Sequence, residues 1–314
     1  MILFLSLPLT GCKKEESISC NGFFFDTIIK VTIYDSNQEE LLSSCMKLCE
    51  KYEALFSRTI KTSDISRINE NGGRPVTVSD DTIDILQKAI SYGELSDGLF
   101  DVTIAPASSL WDFKSDTPAL PDKNELKEAI SHIDYRTIQI SGNTVTLLDS
   151  KAQIDLGGIA KGYIADRMKS HLISKGVEHA TINLGGNVLT IGGKPDGTPF
   201  HIGIQKPFDE RNSILTSVDV TDRSVVSSGS YERFFTLDGQ LYHHILNPRT
   251  GYPVDSGLSG VTILSDSSVD GDALATICFA LGQEKGMALI RSLDGVDALF
   301  VDTNGKVSAT FPIK

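Results

Sequence analysis

Apolar positions recur along this chain with two periods, and each change of period marks an element. Residues 23–34 read Phe-Phe-Phe-Asp-Thr-Ile-Ile-Lys-Val-Thr-Ile-Tyr, an aromatic and β-branched run that predicts a strand. Between Leu41 and Phe56 the period becomes helical: Leu41, Leu42, Cys45, Leu48, Cys49, Tyr52, Leu55 and Phe56 fall on one face. Residues 82–95 predict a second amphipathic helix, with Ile83, Leu86, Ile90 and Leu95 turned inward, and residues 125–131 begin another. Two β-rich runs at 137–140 and 144–148 flank Ser141-Gly142-Asn143 and predict a hairpin. Further strands are predicted at 200–205, 213–220, 224–228 and 233–237, and a helix at 273–281. The pattern alone gives a mixed α and β protein.

One stretch combines all three kinds of signal. Residues 153–158 read as a short strand and a glycine turn. After them Ile159, Ala160, Ile164, Met168, Leu172 and Ile173 take helical spacing. Two glycines before a helix let the backbone pass close to a neighbour and aim free N–H groups at it. Lys161 stands in the first helical turn, where the helix dipole disfavours a cation. A cation kept there points to a bound anion, most simply a phosphate. The blander alternative leaves Lys161 in water and Asp155 as a cap. The spacing fits neither a P-loop nor a Gly-x-Gly-x-x-Gly dinucleotide turn.

Two other clusters carry candidate chemistry. Asp272 and Thr276 are four residues apart on one helical face, a carboxylate and a hydroxyl suited to magnesium, although Asp is also a common helix cap. His243 and His244 precede Asn247-Pro248-Arg249-Thr250-Gly251, a turn sequence beside which a histidine is often just hydrogen-bonded. Ala180 to Asn187 repeats Leu-Gly-Gly and suggests a second close backbone approach. The net charge of −12 argues against nucleic acid as a partner. Cys45, Cys49 and Cys278 sit among apolar neighbours and read as core, with no disulfide or zinc spacing.

Residues 155–163, Asp-Leu-Gly-Gly-Ile-Ala-Lys-Gly-Tyr, resemble the core signature of the ApbE flavin transferases. Other segments resemble that family in the same order: Phe100-Asp101-Val102-Thr103 with Leu110-Trp111, then Ser228-Gly229 with Tyr231 and Arg233. After them come His244 with Asn247-Pro248 and Thr250-Gly251, and Asp272-Ala273 with Ala275-Thr276. The resemblance implies a T-fold-like α+β architecture, with mixed β-sheets and packed helices, over residues 23–314. It implies FAD as substrate, held by Leu99, Phe100, Asp101, Asp155, Lys161 and Leu246. Magnesium would be held by Asp272, Thr276 and the backbone carbonyl of Gly158, and the general base would be His244 or Asp272. The implied reaction moves FMN from FAD to a Thr or Ser hydroxyl of an acceptor flavoprotein in an envelope redox complex. Hydrolysis of FAD to FMN and AMP, or flavin carriage without catalysis, are the alternatives. Phe25-Asp26-Thr27 departs from the family's Met-Gly-Thr, and Thr59 stands where an aromatic residue is common. Leu9-Thr10-Gly11-Cys12 follows an apolar start and resembles a bacterial lipobox. This predicts a signal peptide over 1–11, a tether over 12–22 and a lipid anchor on Cys12 at the extracytoplasmic face of the cell membrane.

Overall fold

The computed structural model describes residues 17–210 and 213–313; Cys12 and the expected signal peptide lie outside the described residues. The centre is an eight-stranded sheet. Its strands are β1 (Ile18–Phe24), β2 (Thr27–Ile33), β6 (Ala180–Leu184), β7 (Asn187–Ile191), β10 (Ser224–Gly229), β13 (Leu258–Ser265), β14 (Asp297–Asp302) and β15 (Val307–Ala309). They lie side by side in that order, and every pairing is antiparallel. The intervening strands form smaller units. β3 (Val76–Thr77), β4 (Ile138–Ser141) and β5 (Thr144–Leu147) make a three-stranded sheet. β8 (Phe200–Gln205) pairs with β9 (Ile214–Val220), and β11 (Phe234–Leu237) with β12 (Gln240–His243).

Strand periodicity assigns the two faces of the large sheet. Val226, Val261, Ile263, Ala298 and Phe300 face the main core, which is completed by α1 (Glu39–Phe56), α6 (Ala160–Ser174) and α7 (Ser268–Arg291). Their alternates Val225, Leu264, Leu299 and Val301 face a second cluster under the β8–β9 hairpin. The shorter helices are α2 (Asp64–Glu70), α3 (Asp80–Leu95), α4 (Ala105–Ser108) and α5 (Lys123–Ile130). The fold is α+β with several antiparallel sheets.

Four local expectations change. Residues 23–34 are not one strand: Phe25 and Asp26 take positive φ of 52° and 61°, and the chain reverses between β1 and β2. Hairpin turns of this hand usually use Asn-Gly, so Phe-Asp hid the reversal. In α3 the expected Leu86 is buried and Ile83 and Ile90 pack partly buried against the core, joined by Thr82, Ile85 and Ala89, but Leu95 is 44% exposed. Ile173 likewise faces solvent near the end of α6, where its neighbour Leu172 takes the core-facing position. α7 starts at Ser268, earlier than the apolar run suggests, and is interrupted at Gly282, whose φ is 78°. Cys45, Cys49 and Cys278 are buried as expected, and burial pushes each thiol up to about 12.

Candidate active site

The glycine turn is held from beneath. Both amide atoms of Asn69 clamp Ile154, accepting its N–H at 2.7 Å and donating to its carbonyl at 2.9 Å. Asp155 Oδ1 accepts the N–H of Gly157 at 2.8 Å, and its other oxygen lies 3.3 Å from Arg58 Nε. Asp155 therefore frames the turn, while α6 itself has Ile159 at its N-cap position and no side-chain cap. α6 then begins at Ala160 with Lys161 in its first turn.

Two contacts lock α6 to α7. A Cβ on Gly162 would lie 2.2 Å from the carbonyl oxygen of Ser268, so only glycine permits this crossing. One turn later Asp166 accepts the N–H groups of Ser268 and Val269, at 2.8 and 2.9 Å, and the hydroxyl of Ser267 at 2.9 Å. α7 has no cap from its own N-cap side chain, so this carboxylate of α6 satisfies its free donors. Burial nevertheless raises the Asp166 carboxyl above its ordinary value.

The lock delivers Asp272, which is 2% exposed, to the start of α6. Its Oδ1 accepts from Lys161 Nζ at 3.0 Å and from Asn187 Nδ2 at 2.9 Å, and its Oδ2 accepts the Gly162 N–H at 3.0 Å. A buried carboxylate requires such partners. The anion facing Lys161 in this structure is thus Asp272. Thr276 lies one turn further along α7, its hydroxyl 3.4 Å from the Asp272 carbonyl. A Cβ on Gly158 would sit 3.9 Å from the Thr276 hydroxyl and 3.2 Å from the ring of Phe100. Asp272, Thr276, Gly158, Lys161 and Phe100 therefore share one corner. Among the described residues no three His, Cys, Asp or Glu side chains gather as a metal cage. A carboxylate, a hydroxyl and the nearby Gly158 backbone are hard-oxygen donors of the kind magnesium takes when water or phosphate completes its shell. The donors present fit that ion.

The two histidines separate. His243 is buried, its Nε2 donating to the carbonyl of Val254 at 3.1 Å and its Nδ1 accepting the Ile245 N–H at 3.3 Å. It is the hydrogen-bonded turn histidine. His244 keeps a buried Nδ1 without a partner among the described residues. Burial, then the charges of Arg233, His243 and Lys161, hold it at about 4, so the ring is neutral at pH 7. The influence of Lys161 reaches both Asp272 and His244.

The remaining expected residues frame the site. Asp101 Oδ1 accepts both the N–H and the hydroxyl of Thr103, and Oδ2 accepts the Tyr135 N–H at 2.9 Å. Burial raises this carboxyl, and its oxygens are engaged within the loop that carries half-buried Leu99 and buried Phe100. Phe100 packs edge-on to Tyr92, which donates to Asp270 at the start of α7. Leu246 is buried with Trp111, Phe235 and Tyr242, and Trp111 Nε1 donates to the Gly251 carbonyl at 2.9 Å. This ties the aromatic cluster to the turn after His244. A cleft of about 270 Å³ between the Asp97–Asp101 loop and Pro248-Arg249 contains none of Lys161, His244, Asp272 or Thr276. The chemistry, not the cleft, locates the site.

Asn187 escaped the sequence reading. Its signal was the second Leu-Gly-Gly, whose glycines take φ of 61° and 100° and turn the chain so that Asn187 begins β7 facing Asp272.

Comparison with known proteins agrees with this geometry. The ApbE family matches residues 25–300. An FAD:protein FMN transferase of Klebsiella pneumoniae (strain 342) is 38% identical over 280 residues, covering 88% of this chain and 87% of the relative. One from Treponema pallidum (strain Nichols) is 34% identical over 320 residues, covering 96% and 88%. Among solved structures, the ApbE protein of Thermotoga maritima has a TM-score of 0.85 at 29% identity, covering 93% of this chain and 96% of that one. The flavin transferase ApbE of Vibrio cholerae has a TM-score of 0.83 at 27% identity, covering 94% and 96%.

Proposed function

The chain belongs to the ApbE family of flavin transferases, and from that premise we propose that it moves the FMN half of FAD onto a Thr or Ser hydroxyl of an acceptor flavoprotein, with magnesium as cofactor. The acceptor oxygen forms a bond to the FMN-side phosphorus, the P–O–P bond breaks, and AMP leaves with the bridging oxygen. Magnesium held by Asp272, Thr276 and the Gly158 carbonyl would neutralise charge on the diphosphate. Lys161 supplies a second positive charge from the first turn of α6. His244 is the better candidate for the base: its imidazole is neutral with a free Nδ1, whereas both carboxylate oxygens of Asp272 already accept hydrogen bonds. Loss of the hydroxyl proton to His244 leaves an imidazolium that faces the departing phosphate.

The observation that carries this reading is the corner where Asp272, Thr276, Gly158 and Lys161 meet. In its test the protein is mixed with FAD, magnesium and a candidate acceptor, and acceptor mass and AMP are followed together. Transfer gives an acceptor heavier by one FMN group and AMP in equal amount. Asp272→Ala should lower both by at least about a hundredfold, with circular dichroism unchanged. AMP with free FMN and unmodified acceptor would make the protein an FAD pyrophosphatase. Absence of AMP under every metal and acceptor condition would leave a flavin carrier. The lipobox-like segment supports placement on the outer face of the cell membrane, with an envelope redox subunit as acceptor.

A further inference from the structure

Lys161 does not extend into open solvent. Its Nζ sits 3.0 Å from Asp272 Oδ1, and its side chain is 27% exposed, so it remains reachable from the site. Three donors hold the Asp272 carboxylate, and they differ in what can leave. The Gly162 N–H is helix backbone. The Asn187 amide is 2% exposed and fixed at the start of a central strand. Lys161 is a charged ammonium on a flexible four-carbon stem. A divalent cation and an ammonium cannot both bind closely to Oδ1 without strong like-charge repulsion.

We propose that Lys161 is a positioning residue that holds the metal ligand Asp272 in reserve, its ammonium occupying the cation's place until the substrate diphosphate draws it away. The inference rests on the metal site proposed above. Asp272 then stays paired while the site is empty of substrate, and the same lysine contacts the diphosphate once it arrives. Metal and FAD enter as a coupled pair, each raising the other's affinity by one shared factor.

The test titrates manganese, a spectroscopic stand-in for magnesium, into the intact protein and follows free Mn2+ by electron paramagnetic resonance. Without FAD the wild type should bind Mn2+ weakly. Lys161→Met should tighten that binding about tenfold while weakening FAD. Lys161→Gln should do the same, and decides the matter if the Met variant fails to fold. Arg58→Gln removes a charge from the same turn, where Arg58 pairs with Asp155, and leaves the Lys161–Asp272 contact in place. It should change Mn2+ affinity by less than about threefold. Unchanged or weaker Mn2+ binding in both Lys161 variants would overturn the inference. So would equal tightening in Arg58→Gln, which would reduce the effect to the general field. If no variant binds Mn2+ with or without FAD, and Asp272→Asn behaves as wild type, the metal site itself is overturned.

Discussion

His244 differs from His243 in what it lacks. Its neighbour His243 has both ring nitrogens hydrogen-bonded, while His244 Nδ1 is buried without a partner among the described residues and the ring is held at about 4. An ordinary imidazole would gain its proton near 6.5 as pH falls. Here the neutral, proton-accepting form persists to much lower pH. If His244 is the base, kcat/KM should stay level from pH 7 to about pH 5 and fall only toward pH 4, because that ratio reports the free enzyme. A limb centred near 6.5 in a pH-rate profile would assign the base elsewhere. At this scale residue type in the sequence singles out Asp272, Lys161 and Thr276, and the fold brings the three to one corner. Residue type alone does not separate His243 from His244; the family resemblance singles out His244, while the hydrogen bonds that distinguish the two rings depend on the fold across the turn.

At the scale of elements, the site is a helix crossing. Gly162 is where α6 and α7 touch, and Asp166 is where one caps the other. Gly162→Ala would gain about 1 kcal/mol of helix propensity. Against that, the new methyl meets the Ser268 backbone at 2.2 Å, and backbone cannot swing aside. The clash should dominate, for a net loss of about 1–3 kcal/mol, read as a lower midpoint in chemical denaturation. An unchanged midpoint would mean that the helices slide past each other freely. The periodicity that announced α1 was clear because it buries one stripe, whereas α6 buries the consecutive residues Gly162, Tyr163, Ile164 and Ala165 between α1 and α7. The β1–β2 reversal was invisible because Phe25 and Asp26 occupy positive φ without a glycine to mark it. On α3 the expected Ile83, Leu86 and Ile90 pack on the core, but Thr82 and Ala89, too polar or small to give an apolar signal, are buried as well, and Leu95 is exposed.

The whole molecule joins distant segments: Lys161, Asn187, His244 and Asp272 span more than a hundred residues, and no local window contains the site. That separation is why the corner itself could not be read from spacing, although each part could. On this scale the lipobox reading makes its own claim. Cys12→Ser should move the protein from the membrane fraction to the soluble fraction of cells or leave an unprocessed precursor. Unaltered membrane association, with a mature N-terminus elsewhere, would refute it. The large sheet adds a consequence for biogenesis. Its strands stand in the order in which they are made, so each can join the growing edge without prising apart two already paired. A chain emerging from a ribosome or a translocation channel can therefore lay down scaffold steadily from its first strand. Asp272, however, arrives with α7, after six of the eight strands. The unfinished chain carries its glycine turn before the carboxylate that Lys161 pairs with, so on the proposed mechanism it stays inactive until synthesis is nearly complete.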